Sequence, residues 1–99
     1  MAMASIANSV VANQLSPEAA FQVTTSTFLL ACQAGELVLQ VETTNNGWVN
    51  LAELDDGGLS RTARASAGQA LVVTNIATGI NYRLTTPNGK ATGRAYELS

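Results

Sequence analysis

The sequence predicts an all-β fold: a single antiparallel β-sandwich or barrel, Ig-like or jelly-roll-like, with an N-terminal arm. Three observations carry that prediction. Turn-forming residues recur about every 8–12 positions, the spacing of short strands in sandwiches. The segments between them alternate apolar and polar side chains, as a half-buried strand requires. Beyond the N-terminal stretch, no period of 3.6 persists. The chain has 99 residues, enough for one domain. It divides into an arm, residues 1–17, and a sandwich domain, residues 18–99.

The arm, MAMASIANSVVANQLSP, has no charged side chain and stops at Pro17. Ile6, Val10 and Val11 fit one side of a short helix or, less regularly, a strand, and the pattern decides neither. A charge-free arm with scattered apolar residues suits packing on a partner subunit; the other reading is a first strand of the same sheet. Ile6, Val10 and Val11 are therefore candidate interface residues, and Trp48 is the fourth.

Ser16-Pro17-Glu18 begins a turn, and Ala20 to Cys32 reads as one long strand or two shorter ones. Phe21, Val23 and Thr25 share a face, and the β-branched Val23, Thr24, Thr25 and Thr27 favour extended backbone. After a turn at Ala34-Gly35 comes the clearest unit of the chain, the hairpin Gly35 to Leu54. Leu37, Leu39 and Val41 point one way; Val38, Gln40 and Glu42 point the other. Thr43-Thr44-Asn45-Asn46-Gly47 is its tip, because Asn and Gly tolerate positive φ. Val49 and Leu51 return to the apolar face. Trp48, the only tryptophan, is expected to cover the end of the core as a lid.

Asp55-Asp56-Gly57-Gly58 is a loop, and Arg61 to Ala65 a weak polar strand. After Ala67-Gly68, Gln69 to Asn75 places Leu71 and Val73 on one side and Val72 and Thr74 on the other. Apolar residues on both faces point to a central strand between two layers, or to one side facing another subunit. Beyond the turn at Thr78-Gly79, Ile80, Tyr82 and Leu84 alternate with Asn81, Arg83 and Thr85. Thr86-Pro87-Asn88-Gly89-Lys90 is a second hairpin tip. A last strand, Ala91 to Leu98, puts Tyr96 and Leu98 on one face. Some seven strands are expected.

Composition narrows the function. Only 12% of residues are charged, about half the usual ~25%. Ser, Thr, Asn and Gln stand in for charge, and such groups are cheaper to strip of water than ions. That suits a subunit in lasting contact with neighbours. The net charge is −2, and the five basic residues are scattered, which is not the clustered basic face of a nucleic-acid binder. No apolar run is long enough to span a membrane, and the N-terminus lacks the basic region of a signal peptide.

Catalytic chemistry is not expected. The chain has no histidine, which removes the commonest general base and metal ligand and every Ser-His or Cys-His arrangement. The single Cys32 can form no intrachain disulfide and lies in the apolar run Phe28 to Cys32, where it reads as a small buried hydrophobe. Asp55 and Asp56 do not have the alternating spacing of a calcium loop. No cofactor, metal ligand or catalytic residue is assigned. Trp48, Tyr82 and Tyr96 would serve a carbohydrate module if they formed one platform; filling or capping the core is their alternative use.

The pattern Leu-Val-Leu-Gln-Val, Asn-Asn-Gly-Trp-Val-Asn-Leu, Gly-Gln-Ala-Leu-Val-Val and Asn-Tyr-Arg-Leu, over Gly35 to Leu98, resembles small β-sandwich modules of tailed-bacteriophage virions. Those modules are capsid decoration (cement) proteins or parts of tails and fibres. The resemblance implies a homo-oligomer, such as a trimer, bound to the major capsid protein on the capsid exterior and assembled in the host cytoplasm. It implies no functional residues. The expectation is a structural virion protein that stabilises contacts between capsid subunits. The alternative is a tail or fibre component, or a small carbohydrate- or host-surface-binding module.

Overall fold

In the computed structural model the described residues are 3–13, 20–45, 47–54, 60–87 and 89–98. They contain no helix and ten strands: β1 (Met3–Asn13), β2 (Thr27–Ala34), β3 (Glu36–Thr43), β4 (Gly47–Asn50), β5 (Ala52–Leu54), β6 (Ser60–Thr62), β7 (Arg64–Ser66), β8 (Ala70–Thr74), β9 (Tyr82–Thr85) and β10 (Lys90–Leu98). Sheet A is antiparallel in the order β1-β10-β2-β8. Sheet B is centred on β3, with β9 along one side and β4 then β7 along the other: Gln40 stands between Asn50 and Arg83, and Val38 between Arg64 and Thr85. The two sheets pack as a β-sandwich.

The chain changes sheet between β2 and β3, β7 and β8, β8 and β9, and β9 and β10, and the first two of these are tight corners. The chain passes from sheet A to sheet B at Gly35 and returns from β7 to β8 through Ala67-Gly68. Backbone bonds stitch the corners together: Ala67 N–H donates to the Gly35 carbonyl at 2.9 Å, Gly68 N–H to Cys32 at 3.0 Å, and Cys32 N–H to Gln69 at 2.9 Å. Two long bent strands thus pair with each other across both layers, the device by which strands switch sheets. Gly35 is required at its corner. Its φ is +75°, and a Cβ there would stand 2.6 Å from the Lys90 carbonyl oxygen.

The polar segment read as one strand, Arg61 to Ala65, is two. β4 leaves β3 after Asn50, the chain makes the β5–β6 pair, and β7 rejoins β3. At the branch point Leu51 N–H donates to Leu39 C=O at 2.9 Å, Leu39 N–H to Ala63 C=O at 3.0 Å, and Ala63 N–H to Leu51 C=O at 2.8 Å. This closed ring of three bonds satisfies backbone groups at a point where a ladder is interrupted.

The core between the sheets follows the alternation of the strands. Phe28, Leu30 and Cys32 of β2 meet Leu37 and Leu39 of β3, Ala65, Val73, Tyr82 and Leu84, with Ala91 and Ala95 from β10. Each fully enclosed Leu or Phe contributes about 1.5–3 kcal/mol by leaving water. Val23 is also buried, but Ala20 to Ser26 is irregular, with one bridge from Phe21 to Tyr82, and the regular strand starts only at Thr27. β8 is an edge strand of its sheet, not a central one. Ile80 is 40% exposed: it precedes the first residue of β9 and escapes that strand's inward alternation.

Residues 3–13 are the strand that pairs with β10, from Met3 opposite Leu98 to Asn13 opposite Lys90. Val10 and Val11 stand opposite Gly93 and Thr92, and Ile6 falls in a register shift between the Ser5–Tyr96 and Ala7–Ala95 pairs. The rest of the segment 1–17 lies outside the described residues.

Candidate functional site

Two outward faces carry side chains that core packing does not account for. The first is the outer face of sheet B. The β3–β4 hairpin closes with Thr43 opposite Gly47, so Glu42 stands opposite Trp48 and Gln40 opposite Asn50. Thr43 Oγ1 donates to the Gly47 carbonyl at 2.9 Å, and Gly47 has φ +66°. Trp48 therefore shares the solvent side with Glu42, while Val41 and Val49 turn inward. It is not the lid that the sequence suggested; it is a half-buried indole on an outer surface.

Strand β9 and the residue before it bring Arg83 and Asn81 to the same face. Arg83 reaches across β3, its guanidinium carbon 4.5 Å from the centre of the Trp48 ring. Such a cation–π contact contributes about 0.5–1 kcal/mol at an exposed site. Arg83 Nε donates to Gln40 Oε1 at 2.7 Å, and Gln40 Nε2 donates to Asn50 Oδ1 at 3.0 Å. In the next row Gln22 Nε2 donates to Asn81 Oδ1 at 2.9 Å, and Asn81 Nδ2 donates to Glu42 Oε1 at 2.9 Å. Two cross-strand rows, Asn50–Gln40–Arg83 and Trp48–Glu42–Asn81–Gln22, make a polar plane with one aromatic in it.

The second face is the outer side of sheet A. There Tyr96, Leu29 and Val72 stand side by side on β10, β2 and β8, and Arg94, Ala31 and Ala70 form the neighbouring row. Val72 is 47% exposed. β8 contains no charge, proline or bulge, the usual guards of an edge strand.

The sequence-derived interface residues are not gathered in one place. Ile6, Val10 and Val11 lie on β1 of sheet A, and Trp48 on β4 of sheet B. Nor do the aromatics form a platform. Tyr82 is in the core at 1% exposure, its hydroxyl donating to the Ala77 carbonyl at 2.6 Å, whereas Tyr96 belongs to the outer row of sheet A. Burial holds the Tyr82 hydroxyl above its ordinary pKa, against the opposing effect of that hydrogen bond.

Comparison with family models, with curated proteins and with solved structures finds no match to this chain.

Cys32 is buried as expected, its Sγ 3.5 Å from the carbonyls of Ala34 and Gly35. Burial pushes its thiol up from the ordinary range, the backbone bonds of Leu37 and Ala34 acting weakly in the other direction. A protonated, enclosed thiol is a poor nucleophile. Among the described residues no three His, Cys, Asp or Glu side chains come together as metal ligands; the Asp55-Asp56 loop lies outside them. The Arg61 to Leu71 cleft holds Arg64, but that guanidinium already lies 3.6 Å from Glu36.

Proposed function

We propose that this protein is a non-catalytic structural subunit that works by lateral contact with other protein chains, as a capsid decoration (cement) protein does on a tailed-phage head. One observation carries the reading. The outer face of sheet A presents Tyr96, Leu29 and Val72 in a continuous row that ends at the uncharged edge strand β8. An apolar row running out to an open edge is the surface a neighbouring subunit covers. The low charge of the whole chain supports it, because uncharged polar surface is cheap to bury. Its partners are further copies of the chain and a major capsid protein. Seams of about 1,000 Å² per copy, modest singly, become strong when many are engaged at once.

The solution mass by light scattering tests this reading. A closed oligomer is expected, with the Val72→Lys variant shifted towards monomer and its circular dichroism spectrum unchanged. A monomer at all concentrations, with assembled phage heads failing to retain the chain on sedimentation, refutes it.

A further inference from the structure

The outer face of sheet B lies on the opposite side of the sandwich from the Tyr96–Leu29–Val72 row, away from the proposed subunit seam. We propose that it is a binding site for a neutral carbohydrate, a pyranose oligosaccharide lying across Trp48 and the two polar rows.

The donors and acceptors on this face define the ligand. Within each row the amides are committed to one another, which fixes their orientations: Gln22 to Asn81 to Glu42, and Arg83 to Gln40 to Asn50. Those bonds leave definite valences free. Among the described residues, the terminal guanidinium nitrogens of Arg83, Trp48 Nε1–H and Asn50 Nδ2 have no hydrogen-bond acceptor, and Glu42 Oε2 and Gln22 Oε1 have no donor. The face thus offers donors and acceptors side by side, with Gln40, Glu42, Trp48, Asn50 and Arg83 held on strands and Gln22 and Asn81 fixed by their bonds to each other and to Glu42. Vicinal hydroxyl groups both donate and accept, and they match such an array.

Charge narrows the choice further. Glu42 and Arg83 are the ionisable side chains of these two rows, and they are opposite in sign. The face is neutral as a whole, so an anionic ligand would meet the Glu42 carboxylate and a cationic one the Arg83 guanidinium. An uncharged polyol meets neither penalty. Trp48 supplies the apolar element: a half-buried indole with the Arg83 guanidinium over its ring, 4.5 Å from the centre, so that the C–H face of a sugar packs on the part of the indole the guanidinium leaves uncovered.

Trp48 is the only tryptophan, so its indole N–H gives a single NMR signal that reports on this face alone. The uniformly labelled chain is titrated with maltopentaose, cellopentaose, chitopentaose and the anionic 3′-sialyllactose. At least one neutral pentasaccharide is expected to shift the indole N–H and the side-chain amides of Gln40, Asn50 and Asn81 along one saturable curve. Glu42→Ala, a change at an exposed position, should weaken that affinity about tenfold, or 1.4 kcal/mol, with the thermal midpoint unchanged. No shift with any neutral sugar at about 10 mM, well above the concentration that half-saturates a millimolar site, overturns the proposal. So does a response to sialyllactose alone, or equal affinity in Glu42→Ala.

Discussion

The Glu97 carboxylate, near the end of β10, accepts two hydrogen bonds from Thr24: from its backbone N–H at 2.8 Å and from its hydroxyl at 2.9 Å. These bonds tie the last strand to the irregular segment that leads into β2. They also hold the Glu97 carboxyl below its usual pKa, the backbone N–H of Thr24 acting first and its hydroxyl second.

The sign of the resulting pH dependence is fixed. A carboxylate whose pKa is lowered on folding binds fewer protons in the native state than in the unfolded state. Its stabilisation is complete above the ordinary carboxylate range and is lost as pH falls through the depressed native value. Urea midpoints measured from neutral to acid pH should therefore fall less steeply for Glu97→Gln than for the parent. Identical acid limbs would show that the carboxylate has no part in stability.

Gly93→Ala should destabilise by about 1–3 kcal/mol, the usual cost of forcing extra atoms into a packed core. A Cβ at this position would strike the Ala31 carbonyl oxygen on β2 and stand 2.7 Å from Leu37 Cδ1 across the sandwich. Neither β2 nor the fully buried Leu37 has room to withdraw. Chemical denaturation measures the loss.

Tyr82→Phe and Tyr82→Ala separate two contributions of one side chain. The first removes only the hydroxyl bonded to Ala77; it leaves that carbonyl without its donor and should cost about 0.5–1.5 kcal/mol. The second also empties the space between Phe21 and the core and should cost about 3–5 kcal/mol. Denaturant midpoints of the two variants give the ratio.

The Cys32 thiol should be inert in the folded protein. Burial keeps it protonated, so a chromogenic thiol reagent at neutral pH should label it only at the rate of opening and at once in denaturant. Immediate labelling of the native chain would contradict the packing of β2 against the core.

The β3–β4 hairpin and β9 were legible in the sequence because period-2 alternation and Asn-Gly turn chemistry act locally; β8 was legible as a strand, but its apolar residues on both faces pointed to the centre of a sheet rather than to the edge it occupies. Sheet membership was not. Ala34-Gly35 reads as a turn, yet its use as a corner depends on Ala67, Gly68 and Lys90, which are remote in sequence. Splitting Arg61 to Ala65 into β6 and β7 likewise depends on Leu39 and Leu51. For Trp48 the signal was present: counting back from the Thr43–Gly47 closure pairs it with Glu42, on the face opposite Val41 and Val49. The large apolar area of an indole favours the core in general, and here the register of the hairpin overrides that preference. Arg83 meeting Trp48 was beyond reach, because it requires β9 to lie against β3.

The ring of bonds among Leu39, Leu51 and Ala63 has a consequence for how this chain can vary. The β5–β6 pair is a side branch: it departs from sheet B after Leu51 and the chain rejoins it at Ala63, two residues that the ring already bonds to each other. Lengthening, shortening or exchanging that branch alters no pairing of β3 with β4, β7 or β9. The molecule therefore has a position at which new sequence can be grafted without re-registering the sheet, and both of its outer faces can stay constant while that branch diverges.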